Sequence, residues 1–156
     1  MTTASGGLIQ LLFLFLLLVP AVLYLITLQR TLQVISSENR RIPPGQVWLL
    51  LIPLFNLVWQ FVVVNKLAHS IRLECMRLNI PTKQEKPTFD LGNIQSILLI
   101  IGFMPVIGIL FTFCGFICWI IYWVQVAGWR KKIIANQGND LLDAERELLN
   151  QQVNKL

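Results

Sequence analysis

Two side-chain amides, Asn56 and Gln60, lie within a long uncharged stretch of an otherwise apolar sequence. Their spacing of four places them on one face of a helix. In an apolar environment, amides form hydrogen bonds between helices, or they line a polar path for a solute. Thr112 and Gln125 are the further polar residues that could join them. The sequence therefore offers interhelical polar contacts or a pore lining, with packing as the commoner role.

Few residues could support catalysis, proton transfer or metal binding. Cys114 and Cys118 share a helical face, but the single histidine, His69, leaves too few ligands for zinc or haem. The sequence has no Ser–His–Asp set and no glycine-rich phosphate loop, and His69 with Glu74 is too little for an enzyme acting on lipids. We expect neither an enzyme nor a resident cofactor or metal.

Three runs of the 156-residue chain, 1–29, 42–65 and 91–129, contain no charged side chain. With 55% hydrophobic and 13% charged residues, the composition is typical of membrane proteins. The net charge of +5 comes from basic residues between the apolar runs, which favours membrane-flanking charge over nucleic-acid binding. We predict an all-α, polytopic membrane protein of about four transmembrane helices with proline kinks.

The first two runs each predict one span, near residues 8–28 and 47–67. The first gives about 31 Å of helix, with a kink at Pro20. Because no basic residue precedes it and no cleavage pattern follows, it reads as a signal anchor. Pro44 suits the first turn of the second span, Trp48 suits an interface, and Pro53 lies within that span.

The third run is too long for one span of about 20 residues. Gly102 and Gly108 bracket Pro105 inside it. This pattern favours a tight helical hairpin, with spans near 91–104 and 107–129. A single span kinked at Pro105 is the alternative.

Basic residues between the runs indicate orientation. Four spans with both termini inside put ten of the 13 Lys and Arg residues in the cytoplasm, whereas three spans put eight there. The positive-inside rule therefore favours four spans. A third arrangement, in which the second run is a re-entrant hairpin folding at 53–56, would place all 13 inside, but re-entrant backbone needs protein or water around it.

The last part of the chain, residues 136–156, differs from the membrane domain of residues 1–135. Asp140 can cap a short amphipathic helix. Leu142, Leu149 and Leu156 have the seven-residue spacing of a coiled coil, over too few repeats to define one. We expect a cytoplasmic tail that lies on the membrane or on loops of the protein.

Two further groups suggest contacts. Gly108, Thr112 and Gly115 present small residues that allow close helix packing. The basic run Arg130, Lys131 and Lys132 follows an aromatic cluster at the end of the last span. Aromatic residues followed by basic residues are typical of a cytoplasmic interface and of contact with anionic lipids.

The segment from Pro44 to Trp59 resembles the second-span signature of a family of uncharacterised bacterial multi-pass inner-membrane proteins. The likeness rests on Trp48 followed by the Pro-x-x-Asn-Leu core of Pro53 and Asn56. The family often has a proline soon after Asn-Leu, where this chain has Trp59. The resemblance implies a bacterial inner-membrane protein of about four spans, and it implies no activity.

The sequence thus predicts a multi-pass protein of the cell membrane with a structural or accessory role. Its expected partners are the lipid bilayer, anionic lipids, and either a second copy or another membrane protein. We expect no nucleic-acid partner. The alternative function is a small channel or solute path lined by Asn56 and Gln60.

Overall fold

The computed structural model describes residues 2–82, 87–102 and 108–153. It contains four α-helices, α1 (Thr2–Val34), α2 (Pro53–Arg77), α3 (Phe89–Ile101) and α4 (Gly108–Val153), and a 3₁₀ helix at Pro44–Leu51. The described residues form no strand. The predicted all-α class is confirmed.

Helices α1 and α4 run in the same direction. The Tyr24 and Trp123 rings meet edge to face at 6.2 Å, and the Trp123 indole donates a hydrogen bond to the Thr27 hydroxyl at 2.9 Å. Further along, the Gln137 amide donates to the Val34 carbonyl at 3.0 Å. Because these contacts advance along both helices together, α1 and α4 are parallel, and they meet over most of the bundle.

The second apolar run folds back on itself. The Trp59 indole of α2 donates to the Gln46 carbonyl of the 3₁₀ helix at 3.0 Å. The Arg41 backbone N–H, before the 3₁₀ helix, donates to the Ser70 hydroxyl at 2.9 Å. Residue numbers increase toward the 3₁₀ helix while those of their hydrogen-bond partners in α2 decrease, from 41 with 70 to 46 with 59. The 3₁₀ helix and α2 are therefore antiparallel and form a hairpin.

The prediction of one continuous helix over residues 47–67 is therefore wrong. Ile52 has an extended backbone (φ −81°, ψ 112°), as expected for a residue before proline, which disfavours the helical conformation. Pro53 then begins α2, where its missing N–H would have had no helical partner in any case. Proline starts a new helix here and does not kink an existing one.

Helices α3 and α4 form the antiparallel pair that the glycine pattern predicted. A Cβ built on Gly115 would lie 3.4 Å from Leu98 Cβ, and Gly108 approaches the Gly102 carbonyl. Two separate helices are present, not one kinked helix. The turn between them, residues 103–107, and the predicted helix limits at 104 and 107 lie outside the described residues.

Helix α4 does not end where the membrane domain was expected to end. It continues without interruption from Gly108 through Gly138 to Val153. Asp140 therefore caps no new helix, and the separate short helix predicted for the tail is wrong. A single helical glycine reduces helix stability by only about 1 kcal/mol, which the good helix formers after it offset. Residues 154–156, including Leu156, lie outside the description.

One of the described helices, Gly108–Val153, is long and apolar enough to cross a membrane. Leu18–Val34, which is part of α1, and Phe89–Ile101, which is α3, are shorter apolar helical segments. These lengths are compatible with membrane association.

Gly92 provides a test of how α2, α3 and α4 pack. A Cβ at this position would lie 2.5 Å from a Val64 methyl and 2.8 Å from the Tyr122 ring, both of which are fully buried. We expect Gly92→Ala to reduce the free energy of unfolding by about 1–3 kcal/mol, because β-branched Val64 has little freedom to move. Thermal unfolding in detergent measures the loss.

Gly128→Ala is the matched control, since a Cβ on this helical glycine of α4 meets nothing within 4 Å. Alanine there should leave stability unchanged or raise it by up to about 1 kcal/mol. Equal melting temperatures for the two variants would contradict the packing described for α3.

Candidate functional site

The most extensive polar site surrounds the carboxylate of Glu74, whose side chain is 0% exposed. Oε2 accepts hydrogen bonds from the Ser36 backbone N–H at 3.3 Å, from the Ser36 hydroxyl and from Asn39 Nδ2 at 2.8 Å. Oε1 accepts from Arg77 Nη2 at 2.6 Å and from Gln137 Nε2 at 3.0 Å. We call these five residues the Glu74 cluster.

Three segments supply the cluster. Ser36 and Asn39 lie in the turn after α1, where the Asn39 N–H donates to the Ser36 carbonyl at 3.0 Å. Glu74 and Arg77 are three apart and therefore share a face of α2. Gln137, from α4, uses the same amide nitrogen to reach Glu74 and the Val34 carbonyl. The carboxylate thus joins the ends of α1 and α2 to the side of α4.

Arg40 completes the end of α1. Its Nη2 donates to the Ile35 carbonyl at 2.9 Å and to the Gln33 carbonyl at 3.3 Å. These are carbonyls that the end of a helix leaves without helical partners. Arg40 therefore stabilises the turn that carries Ser36 and Asn39 to the carboxylate.

The electrostatics of Glu74 favour a permanent negative charge. Burial by itself raises the pKa of the carboxyl, but the hydrogen bonds from Arg77, Asn39, Ser36 and Gln137 outweigh it and lower the pKa to about 2. A fully paired, ionised carboxylate is not poised for proton transfer near neutral pH. The arrangement is suited to holding three segments together.

Of the two predicted amides, the structure places Gln60 in an interhelical contact. Gln60 is buried, and its Nε2 donates to the Tyr24 hydroxyl of α1 at 3.3 Å. Asn56 lies one turn earlier, and its buried Oδ1 has no hydrogen-bond partner among the described residues. The two amides therefore differ in role, although they share a helical face.

Thr112 and Gln125 do not join these amides in a common lining. Thr112 lies in a cavity of about 200 Å³ between α3 and α4, together with Gln95 and Trp119. Gln125 lines a different cavity with Thr88 and Asp90. The four polar residues proposed as a path are thus spread over separate surfaces.

The small residues lie where α3 packs against α4, and the basic run lies further along α4. Gly108 and Gly115 face α3 within the chain, so they serve packing inside the hairpin. Arg130, Lys131 and Lys132 lie on α4 after its apolar part, where Lys132 Nζ lies 4.6 Å from the centre of the Trp129 ring. This contact is a cation–π interaction.

The cysteines form no metal centre in the described part of the chain. Cys75 is buried, Cys114 is exposed and Cys118 is half-buried, and all three are free thiols. Within residues 2–82, 87–102 and 108–153, no group of three or more His, Cys, Asp or Glu side chains could hold a metal ion.

Sequence reasoning missed the Glu74 cluster. The available signal was one carboxylate between Leu73 and Cys75, with the apolar Ile71 and Leu78 among its neighbours at helical spacing. A carboxylate on an otherwise buried face requires partners. The identity of those partners depends on tertiary structure.

No protein-family model, curated protein or solved structure shows significant similarity to this chain. The resemblance to uncharacterised multi-pass proteins therefore stays a prediction.

Replacing the central carboxylate tests the cluster. Each group that faces Glu74 donates to it, so Glu74→Gln would replace one acceptor oxygen by an NH₂ donor and leave buried donors unpaired. We expect a loss of about 3 kcal/mol in the free energy of unfolding near neutral pH. Thermal unfolding in detergent measures it, with the exposed Glu145→Gln as the control.

The same residue predicts a pH dependence. The folded-state pKa of about 2 lies below the ordinary glutamate pKa of 4.5, so the stabilisation is complete above about pH 5 and is lost as the pH falls toward 2. The melting temperature of the wild type should fall over that range, and that of Glu74→Gln should fall less. Parallel pH profiles for the two proteins would count against an ionised Glu74 in the folded state.

Proposed function

We propose that this chain is a helical, multi-pass protein of the bacterial cell membrane with a structural or accessory role, and that it presents the end of α4 to a partner protein. The observation that carries this proposal is the continuity of α4. One helix joins an apolar segment to residues 138–153, all of which are exposed and several of which are leucines.

Exposed apolar side chains on α1 and α4 support embedding in a bilayer. Ile109 is 85% exposed, and large apolar residues follow it along the outer face of α4. Soluble monomers rarely expose contiguous apolar surface on this scale, whereas lipid tails are its natural contact. Before Gly138, the most exposed of these described side chains are Ile9, Leu12, Phe15, Leu16, Ile109, Leu110, Phe113 and Val124.

The hairpin of the 3₁₀ helix and α2 supports a re-entrant second segment. Eight residues of 3₁₀ helix rise about 16 Å, roughly half of a hydrocarbon core of about 30 Å. A segment this short reaches into the bilayer and returns to the side from which it came. Its backbone groups are satisfied in part by protein, as in the bond from Trp59 to the Gln46 carbonyl.

Charge supports the orientation. The Glu74 cluster brings the ends of α1 and α2 to the same end of the bundle as Gln137 of α4. A re-entrant second segment and the α3–α4 hairpin would then leave all 13 basic residues on one side, with the N-terminus opposite. The positive-inside rule makes that side the cytoplasm. We propose this arrangement in place of four full spans with both ends inside.

Ser37 distinguishes the two topologies. This exposed residue lies in the turn after α1. We propose that it faces the cytoplasm, whereas four full spans would put it outside. In a variant lacking the native cysteines, Ser37→Cys should resist a membrane-impermeant maleimide in intact cells and react after permeabilisation.

Asn139→Cys, exposed on α4, is the control because both topologies place it inside. Labelling of Ser37→Cys in intact cells, while Asn139→Cys stays unlabelled, would overturn the re-entrant arrangement.

The exposed end of α4 supports a docking role. Leu141 and Leu148 are 72% and 62% exposed, and Leu142 and Leu149 are also exposed. Residues 138–153 rise about 24 Å as a helix. Leucines on a projecting helix suit the helix-in-groove mode of recognition.

The charge of this segment indicates the partner. Asp140, Asp143, Glu145 and Glu147 outnumber Arg146, so residues 138–153 are acidic. The anionic cytoplasmic leaflet would repel such a helix, and in a parallel pair of copies the acidic residues between the leucine pairs would repel each other. The partner that fits is therefore a different protein with an apolar groove flanked by Lys or Arg.

A photocrosslinker tests this role in cells. Benzoylphenylalanine in place of Leu149 should give one discrete protein adduct, whose crosslinked peptide combines apolar with basic residues. Asp143→Lys with Glu147→Lys should remove the adduct through charge repulsion. The same crosslinker in place of lipid-facing Ile109 is the control and should not give that adduct.

The mass of the adduct gives the outcome. An adduct of twice the chain mass would make a second copy the partner and overturn the proposal of a different protein. No protein adduct at position 149 would overturn the docking role.

A solute path has less support. Gln60 is engaged with Tyr24, and Thr112 and Gln125 line different cavities. We therefore expect proteoliposomes containing the purified protein to show no solute flux above empty vesicles. Flux that Asn56→Leu reduces would favour the channel instead.

A further inference from the structure

A basic cavity lies beside the cytoplasmic half of α2. Its volume is about 460 Å³, and the described residues that line it are Arg41, Asn65, Lys66, His69 and Phe89. This volume falls within the usual range for small-molecule sites. Neither the Glu74 cluster nor the docking segment of α4 contributes to it.

The fold positions these side chains from three segments. Asn65, Lys66 and His69 lie within one turn of α2 and share a face. Arg41 lies in the segment just before the 3₁₀ helix. The hydrogen bond from its backbone N–H to the Ser70 hydroxyl holds it beside α2. The Ser70 hydroxyl in turn donates to the Lys66 carbonyl at 2.8 Å. The backbones of the two cationic residues, Arg41 and Lys66, are therefore linked through the Ser70 hydroxyl.

The charge of the cavity is not balanced by its described lining. Arg41 and Lys66 are both cationic, and none of the five lining residues is acidic. Across residues 2–82, 87–102 and 108–153, neither cation forms an ion pair with a carboxylate. Two like charges at one cavity repel each other, so an anion that binds between them is stabilised by both.

The residue types fit a phosphate group. A guanidinium presents a planar fork of donors that matches phosphate oxygens, and an ammonium adds a compact point charge. Asn65 contributes a further polar side chain, although one amide hydrogen already bonds to the Phe61 carbonyl at 2.8 Å. Phe89 gives the cavity an apolar wall.

We propose that this cavity binds a phosphate group, carried by the headgroup of an anionic phospholipid or by a small soluble phosphate ester. Lys66 follows the apolar residues Val62, Val63 and Val64 of α2. In the topology proposed above, that step from apolar to charged residues lies at the headgroups of the cytoplasmic leaflet. The lipid source rests on that topology, whereas the soluble ester does not.

Binding to the full-length protein in neutral detergent tests the proposal. The probes are short-chain phosphatidylglycerol, glycerol 3-phosphate and, as a zwitterionic control, short-chain phosphatidylcholine, and native mass spectrometry or calorimetry measures the affinity. Arg41→Gln and Lys66→Gln should each weaken binding of the anionic probe by about tenfold or more. Arg146→Gln, the same charge change in the exposed end of α4, should leave affinity unchanged.

Each outcome decides the matter. Cavity-dependent binding of phosphatidylglycerol alone identifies a lipid site, and cavity-dependent binding of glycerol 3-phosphate identifies a soluble phosphate site. No binding of either probe, or equal losses in Lys66→Gln and Arg146→Gln, would overturn the proposal. Circular dichroism and melting temperatures show that the variants are folded. Ser37 labelling is independent of this assay, so failure of one does not imply failure of the other.

Discussion

A buried carboxylate that accepts hydrogen bonds from three segments sets the relative positions of the helices. Glu74 is fixed to the turn after α1 through Ser36 and Asn39, and to α4 through Gln137. The ends of α1 and α2 must therefore lie together, although 38 residues separate Ser36 from Glu74. The second apolar run, which lies between these two ends, must therefore lead away from the Glu74 cluster and return to it. The hairpin at Pro53 follows from this constraint.

The carboxylate can hold the three segments together because every partner group donates a hydrogen bond to it. A buried charge is strongly unfavourable alone and becomes tolerable when its oxygens are fully hydrogen-bonded. Arg77 supplies the balancing charge while remaining partly exposed, so the positive partner keeps contact with water. Apolar packing of Tyr24, Val64 and Tyr122 fills the bundle but is less directional. The polar cluster thus adds geometric specificity to a core that apolar burial stabilises.

The sequence predicted those parts of the fold that depend on neighbouring residues. The helical class, the hairpin bracketed by Gly102 and Gly108 and the shared face of Asn56 and Gln60 all follow from local spacing. Pro53 was harder to interpret, because proline within an apolar run can kink a helix or begin one. The anchoring of Arg41 to Ser70 decides between these, and it depends on a tertiary contact. The donors to Glu74 were not predictable, since they are distant in sequence.

Because α4 is unbroken, its C-terminal end projects a defined distance from the bundle. Gln137 clamps the helix to the bundle through Val34 and Glu74, and about 24 Å of helix extends beyond that clamp. A helix this short is nearly straight and stiff compared with an unstructured linker of equal residue count. A partner bound to the leucines there would be held at a set distance from the bundle and at a set angle around the helix axis. Insertion of two residues after Gly138 would turn that surface by about 200° while raising it by only about 3 Å, so the angle is the more sensitive of the two quantities.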